Sequence, residues 1–214
     1  MRSIDEMLGI DFIELIAKLQ DDPLNTEYLH ELADYYFFQS DEDGQRTILE
    51  QIIKIEPENS LAYLRLADSY KTDENVKEEI IETLLLASVK YAESHEADPH
   101  SALGDLYLDQ EKTADAVAQH ESAFFKCPTL LNRINLGHSY LKDDQIDLAK
   151  IFLEASYDEA KARCESGQDE KIIFTMSANL LEELYQAIGR DDLARKMREG
   201  LAESSYNFNK AILT

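Results

Sequence analysis

Tryptophan is absent from this chain of 214 residues, and cysteine (2), proline (4) and glycine (7) are scarce. Each scarcity closes off a class of protein. Cys127 and Cys164 have no metal-type spacing. They supply neither a disulfide framework nor a zinc site, and they fit reduced thiols in a cytoplasmic protein. So few glycines leave no phosphate cradle, and no Gly-x-Ser-x-Gly elbow occurs. Basic residues are also in short supply: 21 Lys and Arg face 44 Asp and Glu, a formal net charge of −23. Such a surface repels phosphate backbones and anionic lipid, which argues against nucleic-acid and membrane partners. No apolar run is long enough to span a bilayer. The opening Met1-Arg2-Ser3-Ile4-Asp5-Glu6 lacks the basic and apolar regions of a secretory signal.

What remains favours helix, since breakers are few and Leu, Ala, Glu and Lys are plentiful. One short pattern recurs five times: Leu, a small residue, two residues, then Tyr. The copies are Leu32-Ala33-Asp34-Tyr35-Tyr36, Leu66-Ala67-Asp68-Ser69-Tyr70, Leu103-Gly104-Asp105-Leu106-Tyr107, Leu136-Gly137-His138-Ser139-Tyr140 and Leu181-Glu182-Glu183-Leu184-Tyr185. Their last tyrosines are 34, 37, 33 and 45 residues apart. Leu and Tyr four apart share one helix face, and the small residue beside Leu admits a second helix closely.

This pattern resembles the tetratricopeptide-repeat (TPR) family, whose first helix carries Leu-Gly-x-x-Tyr, whose second carries Ala and whose repeat ends in Pro. Ala116, Ala149 and Ala194 stand on the family's alanine, and Pro57 and Pro128 on its proline. The departures are Gln45 for Ala in the first copy, His120 for a bulky apolar residue in the third, and Glu182 for the small residue in the fifth. The second copy fits with about one inserted residue, which puts Ile80, Leu84 and Ala87 on its buried face.

The resemblance implies an all-α, right-handed superhelical solenoid of antiparallel helix pairs with an N-terminal capping helix. The paired helices are expected near 26–39 and 45–55, 60–71 and 75–93, 98–109 and 113–126, 130–142 and 145–164, and 170–187 and 191–203. A helix over about 4–20 aligns Ile4, Leu8, Phe12, Leu15 and Leu19, with Asp21-Asp22-Pro23 ending it. In domain terms, 1–24 is the cap, 25–203 the repeat domain, and 204–214 a tail or second cap. The long fourth-to-fifth spacing reads either as a tolerated loop extension or as a projecting helical hairpin.

In the family, the first helices line a concave groove. The residue two after each motif leucine points away from the packed face. These residues are Asp34, Asp68, Asp105, His138 and Glu183. Neighbours three or four away add Phe37, Phe38, Leu64, Thr72, Leu108, Asp109, Ile134 and Leu141. Carboxylates beside apolar patches suit a basic or mixed basic and apolar peptide. A merely solvated acidic face explains the same residues. Capture of heat-shock-chaperone C-terminal carboxylates is argued against, because an anionic terminus would meet acidic side chains and, among cations, Arg65 alone.

No catalytic residue, cofactor-binding residue or metal ligand is expected. Cys127 and Cys164 show no base in the sequence, and His95-Glu96-Ala97-Asp98-Pro99-His100 matches no standard zinc spacing. The leading expectation is a non-catalytic, cytoplasmic adaptor binding a protein or peptide. Alternatives are a dedicated chaperone of a secreted or assembling substrate, and the regulatory subunit of an enzyme. Monomer and dimer remain open.

Overall fold

The computed structural model describes residues 12–71, 73, 75–166, 168 and 171–212, with side chains through Leu201. The described residues form helices and no strand: α1 Phe12–Asp21, α2 Thr26–Phe38, α3 Glu42–Ile55, α4 Ser60–Tyr70, α5 Glu78–Tyr91, α6 Asp98–Asp109, α7 Thr113–Lys126, α8 Leu130–Lys142, α9 Ile146–Glu165, α10 Lys171–Ala187 and α11 Asp191–Ile212. The all-α repeat architecture is as expected, with five pairs running from α2/α3 to α10/α11. The expected positions Ile4, Leu8 and Thr72 lie outside the described residues.

Four of the five pairs share one turn. Three residues join α2 to α3, α6 to α7, α8 to α9 and α10 to α11, and the middle one has positive φ: Ser40 (59°), Glu111 (58°), Asp144 (57°) and Gly189 (70°). Each stands four residues after the motif tyrosine. The tyrosine's carbonyl accepts the N–H five residues on: Asp41 from Tyr36 at 3.0 Å, Lys112 from Tyr107 at 2.8 Å, Gln145 from Tyr140 at 2.8 Å and Arg190 from Tyr185 at 2.7 Å. This left-handed C-terminal cap satisfies the last carbonyls of the first helix and reverses the chain. Side-chain caps open other helices: Asn25 accepts from Tyr28 N–H, Asn59 from Ala62 N–H and Thr129 from Asn132 N–H.

The second pair differs. Residues 71–77 join α4 to α5, and the buried residues of α5 are Ile81, Leu85 and Ser88. The expected Ile80, Leu84 and Ala87 are each one residue out of register: Ile80 is exposed, and Leu84 and Ala87 are half-buried. The reason is the turn. The second helices of the first, third and fourth repeats bury residues nine, thirteen and sixteen after the motif tyrosine: Gln45/Leu49/Ile52, Ala116/His120/Ala123 and Ala149/Leu153/Ser156. Counted from Tyr70, α5 is shifted by two residues. Arg46 of α3 braces the long turn. It pairs with Asp73 at 3.1 Å, donates to the carbonyl of Ser69 and lies 4.5 Å from the Tyr70 ring.

The chain divides into two compact units, Met1–Ser94 and His95–Thr214. In the first, Leu29, Ala33, Leu49, Ile52, Ala62 and Leu66 form the core, with Leu19 of α1 against it. Phe12 of α1 stacks on Tyr35 at 4.3 Å. In the second, the main cluster includes Leu136, Tyr140, Leu153, Leu181 and Leu184. Close approach explains the motif glycines there. A Cβ on Gly104 would lie 2.7 Å from the His120 ring, and one on Gly137 2.8 Å from Leu153. In the fifth repeat the same helix pair is joined by charge: Arg198 donates from Nε to Glu182 at 2.9 Å.

The excess length between the fourth and fifth repeats is packed. The end of α9 and the start of α10 carry Ala160, Phe174 and Met176 onto Leu130 and Ile134 of α8, forming a separate cluster that also holds Tyr157, Cys164 and Leu201.

Candidate functional site

In the first unit, the outward face of α2 meets the C-terminal half of α4 across a recess of about 430 Å³. It is lined by Asp34, Phe37, Ser40, Glu42, Gln45, Arg65, Asp68 and Ser69. Three of these are expected site residues: Asp34, Phe37 and Asp68. Of the other two predicted on these helices, Phe38 is exposed beside Phe37 with rings 5.4 Å apart, and Leu64 is half-buried. Neither lines the recess.

The carboxylates are not bare. Asp34 Oδ1 meets Arg65 at 2.9 Å, joining α2 to α4, and Asp68 Oδ1 meets Lys71 at 2.8 Å. His30 lies 3.5 Å from Arg65. Burial, then the charge of Arg65, holds its pKa below the usual histidine value, so it is neutral at neutral pH.

In the second unit, the predicted residues fall into two groups. Asp105 and Asp109 of α6 and Glu183 of α10 are exposed, while Leu108 and His138 are half-buried. Lys142 of α8 pairs with Glu183 at 2.7 Å, and Asn135 donates to Ser101 at 3.2 Å. Burial, then the charge of Lys142, lowers the pKa of His138. Ile134 and Leu141 are corrections to the expected surface. Ile134 is 0% exposed and Leu141 is buried. The extended α9 and α10 place Phe174 and Ala160 over Ile134, and Leu141 joins the main core.

One arrangement looks chemical and is structural. His120 Nδ1 lies 2.6 Å from Ser139 Oγ, and Nε2 lies 3.3 Å from Asp105 Oδ1. Acid, imidazole and hydroxyl stand in a row. Yet His120 and Ser139 are fully buried between α6, α7 and α8, so no substrate carbonyl can reach the serine. The Asp105 contact is too poorly aligned for a hydrogen bond, and Nε2 is left without one. Among the described residues, no three His, Cys, Asp or Glu side chains gather to hold a metal, and no helix is long and apolar enough to cross a membrane.

No protein-family model and no curated protein matches this chain. Solved structures do. PilF of Pseudomonas aeruginosa superposes with a TM-score of 0.69 at 14% identity, covering 93% of this chain and 87% of that one. YrrB, described as a TPR protein with an unusual peptide-binding site, gives 0.68 at 11% identity, covering 89% and 91%. MamA gives 0.66 at 18% identity, covering 86% and 94%. All are built from tetratricopeptide repeats.

The fold of this chain is the tetratricopeptide-repeat fold.

Within it, the α2/α4 recess lies on the first-helix side, and Gln45 stands where the third, fourth and fifth repeats have alanine. Sequence reasoning flagged Gln45 only as a departure and missed Ser40, Glu42 and Ser69. The signal was present: a polar residue at a position that is Ala116, Ala149 and Ala194 in three later repeats.

Proposed function

We propose that this chain is a non-catalytic protein-interaction module that holds a peptide or protein segment of basic or mixed basic and apolar character on its first-helix faces. The observation carrying the reading is the α2/α4 recess, where the 60%-exposed ring of Phe37 stands beside Asp34 and Asp68. An open aromatic anchor supplies affinity, and carboxylates supply orientation and on-rate. Because Asp34 and Asp68 are already paired within the chain, the partner's basic groups add to existing pairs rather than meeting bare charge. The TPR fold and the peptide-binding site named for YrrB support the same reading. Cys127 and Cys164 are half-buried and outside any disulfide, which suits a reducing, cytoplasmic setting.

Affinity capture tests it. The intact chain and a Phe37→Ser/Asp68→Lys variant are compared as baits in the native extract. The expected outcome is a partner enriched by the intact chain and lost from the variant. A partner retained equally by both places binding elsewhere on the molecule.

A further inference from the structure

The second helices bury alanine nine residues after the motif tyrosine in the third, fourth and fifth repeats: Ala116, Ala149 and Ala194. In the first repeat this position is Gln45, which is only 7% exposed. A primary amide carries two N–H donors and a carbonyl with two lone pairs. The Gln45 side chain has no hydrogen-bond partner among the described residues, yet its amide atoms are not sealed from solvent, so they remain accessible. Gln45 lines the recess. Alanine serves this position elsewhere in the chain, so the amide's polar group is surplus to packing and available to a ligand.

The surrounding groups choose the ligand. Phe37 offers an exposed ring face. Asp34 and Asp68 each use Oδ1 in an internal pair, and their second oxygens have no partner among the described residues. Arg65 is the cation in the lining, its Nη1 pairs with Asp34, and it faces the carboxylates of Asp34, Glu42 and Asp68, so the charge balance of the lining disfavours an anion. Acceptors around an aromatic ring match a planar cation. An arginine guanidinium stacks on a ring and donates from two edges at once, whereas a lysine ammonium is a point charge. The recess is at the small end of the ~300–1,000 Å³ usual for ligand pockets, which suits one long side chain with part of its backbone.

We propose that this recess is a pocket for one arginine side chain of the partner segment, with its guanidinium over Phe37 and donating to Asp68 and to the side-chain carbonyl of Gln45. This assignment rests on the first-helix faces being the binding surface.

The test is a nitrogen-15 NMR titration of the full chain with acetyl-Ala-Arg-Ala-amide. The same peptide carrying citrulline, the neutral shape-mimic of arginine, is the control. The expected result is a saturable shift of the Gln45 side-chain NH₂ and of the Phe37 and Ser69 amides. Citrulline binds about tenfold or more weakly, the cost of losing charge-assisted hydrogen bonds. Gln45→Ala and Asp68→Asn each abolish the arginine preference. Gln45→Ala installs the residue used by the third to fifth repeats, so its melting temperature stays level or rises. Asp68 is exposed, so its variant reports independently of folding. Equal binding of arginine and citrulline, undiminished binding to Gln45→Ala, or no shift at Gln45 overturns the pocket. Arginine-dependent shifts confined to other first-helix residues, such as Leu64 or His138, overturn the pocket and leave the wider binding surface standing.

Discussion

At the scale of single residues, the clearest imprint is the left-handed turn residue four places after the motif tyrosine. Gly189 takes this conformation freely, and a Cβ there would meet nothing within 4 Å. Glu111 takes it with a side chain, against a steric penalty of roughly 1–2 kcal/mol. Glycine removes that penalty and adds unfolded-state entropy of about 0.5–1 kcal/mol. Glu111→Gly should therefore raise stability by up to about 1 kcal/mol, read as a higher urea midpoint at unchanged slope. Asp144→Gly should gain less, because Asp tolerates this conformation better. The motif tyrosines carry a second residue-scale consequence. Tyr140 donates to Glu121 and Tyr185 to Glu154, each at 2.7 Å. Burial, then the hydrogen bond to Glu121 and its charge, pushes the Tyr140 phenol up to about 12. Tyr185 moves the same way for the same causes. A free tyrosine ionises near 10, so between about pH 10 and 12 the unfolded chain releases these protons and the folded chain keeps them. The tyrosines' contribution is intact below about pH 10 and is lost as pH climbs through the folded value. Urea midpoints across this window should fall steeply for the natural chain and less steeply for Tyr140→Phe.

At the scale of helices, the pairs were legible because Leu-small-x-x-Tyr encodes packing directly, and the expected ends agree within about three residues except the last, where α11 runs on to Ile212 instead of stopping at 203. Two features were not. The shift in α5 hides in the turn before it, because hydrophobic residues at 80, 81, 84, 85 and 86 satisfy either register. The structure shows the longer turn held by the brace from Arg46 to Asp73 and Ser69 and by the Asn75 N–H donating to Asp73 Oδ1. The extension of α9 and α10 was visible as a long spacing, but the helix wheel of α8 alone cannot show what lies above Ile134. The structure puts Phe174 there, 6% exposed. This gives an element-scale prediction. Removing a buried phenylalanine costs about 3–5 kcal/mol, so Phe174→Ala should cost that order in chemical denaturation. A substitution at exposed Ile172, two residues earlier, should cost little. Equal effects would show the extension to be loosely attached. Gln45 teaches the opposite lesson. Its polarity was plain in the sequence, but its burial and its place in the lining of a recess, which motivate the proposed arginine pocket, are visible only in the structure.

At the scale of the whole molecule, the net charge of −23 acts on folding and on binding with opposite signs. Like charges repel in the compact chain more than in the expanded one. At about 0.01 M salt the screening length is ~30 Å, enough for carboxylates to act across a helical repeat, and at 0.15 M it falls to ~8 Å. Over that range the melting temperature should rise by a few degrees, on the order expected for ~1 kcal/mol in a domain of this size. The internal pairs Asp34–Arg65 and Lys142–Glu183 are exposed enough to weaken slightly with salt, which limits the gain without reversing it. A cationic partner is steered by the same field, so its association rate should fall over the same salt range while the protein grows more stable. In the proposed arginine pocket, dissociation is set by stacking and hydrogen bonding at Phe37, Gln45 and Asp68 and should change far less. Stopped-flow mixing with an arginine-bearing peptide, paired with thermal melts in the same buffers, separates the two effects. An association rate that ignores salt would assign the acidity to solubility alone.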